Sequence, residues 1–157
     1  MVQVFKNVYI LALMLIIPAA AFAQDSVQQK GIEVFVEHRC YTCHTVKAES
    51  DKIEAAKIAF AKSKGIEVKE KEEKNEEKIG GDLSNVGANR STEWLSKFLK
   101  DPRDYFKDTP DCKKEARKKE RKKFKGSDAE FKDLIAWIET LKYGNMQEPG
   151  FKSCLKE

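Results

Sequence analysis

Two cysteines, two intervening residues and a histidine stand together at Cys40-Tyr41-Thr42-Cys43-His44. C-x-x-C-H is the pattern of covalent c-type haem attachment. Its spacing has a physical logic. Two thiols three positions apart reach the two vinyl groups on one edge of a porphyrin, and the next residue turns its imidazole beneath the ring to bind iron. Cys40 and Cys43 are therefore the expected covalent anchors of one haem c per chain, with His44 as the proximal iron ligand. Other uses of the same residues fit less well. A redox-active C-x-x-C pair belongs in a βαβ setting, which is missing around it. A zinc site wants a second Cys/His pair at ligand spacing, but the only other histidine is His38, and Cys112 and Cys154 lie far apart. Histidine is scarce and no acid–base or nucleophilic constellation is visible, so the chain reads as an electron carrier or a partner of an oxidoreductase, not as an enzyme.

The N-terminal residues point to export. Lys6 precedes the apolar run "VYILALMLII", Pro18 breaks it, and Ala21-Phe22-Ala23 puts small residues at both recognition positions. This is the layout of a cleaved signal peptide over residues 1–23, which places the mature protein in the periplasm or otherwise outside the cytosol. The competing reading is a retained membrane anchor, against which the run of about ten residues is too short to span a bilayer comfortably. Lys6 is the only charged residue of the leader, so its removal lowers the formal net charge of +4 by one. In an oxidising compartment leftover cysteines usually pair, which makes Cys112–Cys154 a candidate disulfide. It would contribute roughly 3–4 kcal/mol by restricting the unfolded chain.

Residues 24–157 form one domain of modest size. "DSVQQKGIEVFVEHR" carries Val27, Gly31, Val34 and Phe35 at helical spacing, and Gly31 permits a close helix crossing. "STEWLSKFLKDP" predicts a shorter helix with Trp94, Leu95, Phe98 and Leu99 apolar. "SDAEFKDLIAWIETLK" opens on the capping box Ser127/Glu130, continues as the stripe Phe131, Leu134, Ile135, Ile138, Leu141, and meets a stop at Gly144. Sustained strand alternation is lacking, so the predicted class is all-α.

With these pieces together, the chain resembles a class I cytochrome c. The likeness rests on the Gly31/Phe35 helix, "CYTCH", "GGDLSNVGANR", "EWLSKFLKDPR" and "FKGSDAEFKDLIAWIETLK". The resemblance implies a helical fold wrapped around the haem. It also implies a Gly-Pro-x-Leu loop whose proline carbonyl accepts the proximal histidine's other ring proton. Here that loop is Gly80-Gly81-Asp82-Leu83, so the expected carbonyl is that of Gly81. Trp137 stands where the family places an aromatic that crosses the first helix.

Two stretches depart from the family. The first is a charged insertion over residues 47–79. "DKIEAAKIAFAK" predicts a short helix resting Ile53, Ala56 and Phe60 on the body and ending near Gly65. The following "EVKEKEEKNEEK" reads as a solvated segment whose charges cancel. The second is the basic stretch "CKKEARKKERKKFKG" at residues 112–126. Thr109 as N-cap and Pro110 at the first helical position predict a helix there, with Glu115–Lys119 and Glu120–Lys123 pairs. It lies where the resemblance implies a methionine ligand to the iron. Met1 and Met14 fall in the leader, which leaves Met146, in the tail of residues 143–157, as the one mature methionine. Four readings of the sixth position stay open: Met146, a lysine of the basic stretch, Cys112 as a thiolate, or an open or water-filled site.

The functional expectation is a single-electron carrier between redox proteins, and the basic stretch reads either as a solvated charged helix or as a docking patch near the haem edge for an acidic partner. The second expectation is a gas sensor or a peroxidase-like protein with an open or labile sixth position. Nucleic acid is excluded as a partner by export and haem together, and an amphipathic membrane face is missing from the basic stretch, so membranes enter only through partners.

Overall fold

Two helices of the core cross at a residue without a side chain. Helix α1 (Ala20–Glu37) meets α6 (Asp128–Ile138) at Gly31, where an added Cβ would collide with the Trp137 Cβ and lie 2.9 Å from the Asp133 carbonyl oxygen. That contact brings Ile32, Phe35 and Val36 of α1 against Leu134, Trp137 and Ile138 of α6, all buried. Phe35 meets the Trp137 ring edge-on, with centroids 5.3 Å apart. Val27, expected on the same stripe, is exposed instead. The computed structural model describes residues 20–67, 78–118, 122–144 and 152–156. Residues 1–19 of the expected leader, most of "EVKEKEEKNEEK", and Met146 lie outside the described residues.

Helix α6 starts on a complete capping box. The Ser127 hydroxyl accepts from the Glu130 backbone N–H, and the Glu130 carboxylate accepts from the Ser127 backbone N–H at 2.6 Å. The helix ends at Ile138, short of the expected stop at Gly144. The chain beyond it turns away to pair with the start of α3 (Val86–Asn89) and the residues just ahead of it: Gly87 N donates to Leu141 O and Tyr143 N donates to Ser84 O, both at 3.0 Å.

Helix α2 (Ser50–Ser63) occupies the first half of the insertion. Ile53 and Ala56 are buried in the same core as α1, Phe60 packs beside them, and Gly65 follows at φ +67°. This half belongs to the body of the domain. Helix α4 (Thr92–Lys100), capped by the Ser91 side chain, buries Leu95 in the core and stacks Trp94 on Phe98 with centroids 4.7 Å apart.

A second, smaller core forms where Phe106, Ala116 and Leu155 are buried against Trp94 and Phe98. The basic stretch contributes only α5 (Pro110–Ala116), capped by the Thr109 side chain, not the longer helix expected there. Phe124 accounts for the early end. Its backbone N–H donates to Leu99 O at 2.8 Å, its ring packs near His38 and Phe131, and residues 122–125 lie outside any helix. Glu115 pairs with Lys118, and Lys119 and Glu120 lie outside the described residues. Among the described residues there is no strand, only the isolated bridges Thr45↔Asp82 and Phe106↔Leu155, so the class is all-α. Among them, too, no helix is long and apolar enough to cross a membrane.

Candidate haem-attachment site

The C-x-x-C-H residues follow α1 through a reversal at Arg39, which takes the left-handed φ of 57°. Cys40–Thr42 then form a single 3-10 turn, with Cys43 N and His44 N both donating to Cys40 O at 3.1 and 3.0 Å. One carbonyl thus gathers both cysteines and the histidine onto a single turn. Cys40 and Cys43 are half-buried and not joined in a disulfide. Burial pushes the Cys40 thiol up to about 11, helped by the neighbouring Cys43 and opposed by the Cys40 backbone.

His44 is oriented by one backbone group. Its Nδ1–H donates to the carbonyl of Gly80 at 3.0 Å. A carbonyl only accepts, so Nδ1 carries the proton and Nε2 is the nitrogen suited to a metal. The acceptor is Gly80, not the expected Gly81. Gly80 N donates to Cys43 O at 2.7 Å, which clamps residue 80 beside the imidazole. Gly81, at φ 72°, turns its own carbonyl to Thr45 N at 3.0 Å. An added Cβ at Gly80 would collide with the His44 ring at Cε1 and Nδ1. The glycine is required by contact, and the imidazole fills the place of its missing side chain.

Further bonds lace this loop to the Cys40–Thr42 turn. Lys78 Nζ donates to Tyr41 O at 2.7 Å, and Leu83 N donates to Thr45 O at 2.8 Å. Asp82 Oδ1 accepts from the Ser84 hydroxyl at 2.7 Å and from Lys47 N at 3.3 Å. Fully buried Ser84 accepts in turn from Ala48 N at 3.1 Å. Sequence reasoning missed this network. The short polar spacing Asp82-x-Ser84 beside a Gly-Gly turn is the signal that could have found it.

His38, two residues ahead of Cys40, is engaged elsewhere. Its Nε2–H donates to Glu130 at 3.2 Å, and its ring lies 4.7 Å from that of Phe124. The Ser127 hydroxyl and backbone N–H, with His38, hold the Glu130 carboxyl down to about 2. Gly126 closes this corner, since a Cβ there would run into the Phe124 ring and the His38 imidazole.

The sixth-position candidates separate. Cys112 is joined to Cys154 by an S–S bond of 2.03 Å, which occupies its sulfur. Lys122, Lys123 and Lys125 are exposed. Met146 lies outside the described residues.

Sequence reasoning also missed Glu49. Its buried carboxylate accepts from Trp137 Nε1 at 3.2 Å and from the Tyr143 hydroxyl at 2.6 Å, which ties the start of the insertion to the end of α6.

The residues present fit a covalently held haem. Among the described residues no three His, Cys, Asp or Glu side chains converge to hold a bare metal ion. Two thiols and an oriented imidazole on one turn suit a larger group whose iron lies apart from its points of attachment. No curated protein and no solved structure matches the chain. The family described as Cytochrome c matches residues 28–142, a span that runs from within α1 past the end of α6 and includes the whole Cys40–Thr42 turn, His44 and the Gly80 loop. The chain belongs to the cytochrome c family, whose members hold haem c covalently and transfer electrons through its iron.

Proposed function

We propose that this chain is an exported monohaem cytochrome c that carries single electrons between redox proteins, with residues 1–23 as its cleaved leader and 24–157 as the mature domain. Cys40 and Cys43 hold the haem through thioethers, and His44 ligates its iron. Held there, the haem would supply the one-electron chemistry through its iron. The protein's own residues supply position. The Gly80 carbonyl fixes the His44 tautomer and makes the imidazole a stronger donor, and the Cys43–Gly80 bond keeps that carbonyl in place. The single observation that carries the reading is the His44 Nδ1–Gly80 bond beside the C-x-x-C-H turn.

Exposed Lys113, Lys114, Arg117, Lys118, Lys122, Lys123 and Lys125 form a basic face for an acidic redox partner. The competing reading is a sensor or peroxidase-like protein with an open or labile sixth position. It is favoured by residues 122–126, which hold no methionine and turn Phe124 towards His38.

The test is the absorption spectrum of the ferrous protein with and without carbon monoxide. A carrier with six ligands keeps its spectrum unchanged on mixing. Rapid carbon monoxide binding overturns the carrier reading in favour of the open site. A spectrum that Met146→Ala leaves unchanged removes Met146 as the ligand.

A further inference from the structure

A cleft of ≈ 360 Å³ opens beside the disulfide, and no residue of the Cys40–His44 turn or the Gly80 loop lines it. Four cations line it, Arg103, Lys107, Lys113 and Lys156, against two carboxylates, Asp104 and Asp108. Buried Phe106 and Ala116 complete the lining.

The charges do not cancel. Lys113 pairs with Asp108 at 2.8 Å, which leaves Arg103, Lys107 and Lys156 against Asp104. Lys107 Nζ donates to Ser153 O and Lys156 Nζ to Asp104 O, each at 2.7 Å. Those carbonyls fix the two ammonium groups without neutralising them. An ammonium has three N–H donors, so one such bond does not exhaust it. Arg103 adds a planar fork that matches an oxyanion bidentately.

The walls are fixed before anything binds. Lys107 N donates to Cys154 O and Lys156 N donates to Tyr105 O, both at 2.8 Å, around the Phe106↔Leu155 bridge. The Cys112–Cys154 bond staples the tail to α5. Preorganised donors lose little freedom when a ligand arrives.

We propose that this cleft is a binding site for a small multivalent oxyanion, of the phosphate or di- and tricarboxylate class, gripped by Arg103, Lys107 and Lys156. Its volume lies at the small end of ligand pockets, which run from about 300 to 1,000 Å³. That suits a compact anion. A folded partner's surface would instead spread over the whole basic face.

The test is calorimetric titration of the intact haem-loaded chain with inorganic phosphate and with citrate. One saturable site per chain is expected, weakened about tenfold or more in Arg103→Ala/Lys156→Ala. Arg103→Lys keeps the charge and loses the fork, so it should fall in between. Lys62→Ala removes a cation that does not line the cleft and should leave binding unchanged. Arg103→Gln, at an exposed position, serves if the double variant does not fold. Dithiothreitol, by releasing the tail that carries Lys156, should also weaken binding. The proposal is overturned by absent saturation, by equal weakening in Lys62→Ala, or by saturable binding of an oligoglutamate peptide but neither small anion. None of these readouts depends on electron transfer, so the site and the carrier role fail separately.

Discussion

Trp137 and Glu49 are 88 positions apart in sequence, yet the indole N–H of one donates to the buried carboxylate of the other at 3.2 Å. The Tyr143 hydroxyl donates to the same carboxylate at 2.6 Å, and Lys52 Nζ approaches it at 3.7 Å. Three donors around one buried acid join the insertion to the helix that packs on α1. Glu49→Ala strands a wholly buried indole N–H, so it should cost about 1–3 kcal/mol. Tyr143→Phe removes one half-exposed partner and should cost about 0.5–1.5 kcal/mol. Urea midpoints of the two variants measure this. Equal, negligible shifts would show that the carboxylate is not a structural link.

How much of this was legible in the sequence depends on the range over which each feature is encoded. The C-x-x-C-H turn, the Ser127/Glu130 capping box and the Gly31–Phe35 spacing are local, and each could be read from a few adjacent residues. The Ile53/Ala56 stripe was legible for the same reason. Glu49 was not, because a lone glutamate in a charged run looks solvated until Trp137 and Tyr143 are placed over it. The choice of Gly80 over Gly81 was also hidden. Two adjacent glycines offer two carbonyls, and only the Cys43–Gly80 bond and the left-handed turn at Gly81 decide which one faces His44. Propensity alone favours a longer basic helix, whereas Phe124 is drawn off by Leu99 O and the core.

Glu130 makes folding sensitive to acid. Its carboxyl is held at about 2 in the folded chain, below its ordinary 4.5, first by Ser127 and then by His38. A folded value below the unfolded one stabilises the fold above the ordinary value, and that gain disappears as pH falls towards 2. Glu130→Gln keeps the shape of the cap and removes the charge. The difference in Tm between the two proteins should be full at neutral pH and should shrink as pH falls from 4.5 towards 2. A difference that stays constant across that window would refute the assignment.

The Cys112–Cys154 pair closes a sequence separation of 42 residues and holds the second core, Phe106 against Leu155, in register. Replacing both cysteines with serine should cost roughly 4 kcal/mol, chiefly by freeing the unfolded chain. The denatured, unreduced haem protein should expose no titratable thiol, with Cys40 and Cys43 committed to the cofactor. Two thiols per chain would contradict the pairing.

The basic face predicts a salt-dependent encounter. On the proposed docking role, exposed Lys114, Arg117, Lys122, Lys123 and Lys125 would attract an acidic partner over a range that shrinks from about 10 Å at 0.1 M salt to about 3 Å at 1 M. Second-order electron transfer to the physiological partner should slow steadily as salt is raised, and Lys122→Glu/Lys123→Glu should flatten that dependence. A rate indifferent to both would dismiss the docking role.

Gly80 and Gly81 separate a contact from a conformation. An alanine at 80 would place its Cβ in the His44 ring, so the imidazole must shift and its Nδ1 bond to Gly80 O must lengthen. The haem-loaded Gly80→Ala protein should keep its helical circular dichroism while its Soret band and reduction potential move, because the iron's donor has been turned and weakened. An alanine at 81 meets a different penalty. There φ is 72° and the carbonyl faces Thr45, so Gly81→Ala should cost about 1–2 kcal/mol of backbone strain. Its spectrum and potential should stay close to those of the parent, since the group that orients His44 is untouched. If Gly81→Ala moved the potential and Gly80→Ala did not, the orienting carbonyl would be that of Gly81, and the clamp between Cys43 and Gly80 would have no part in holding the ligand.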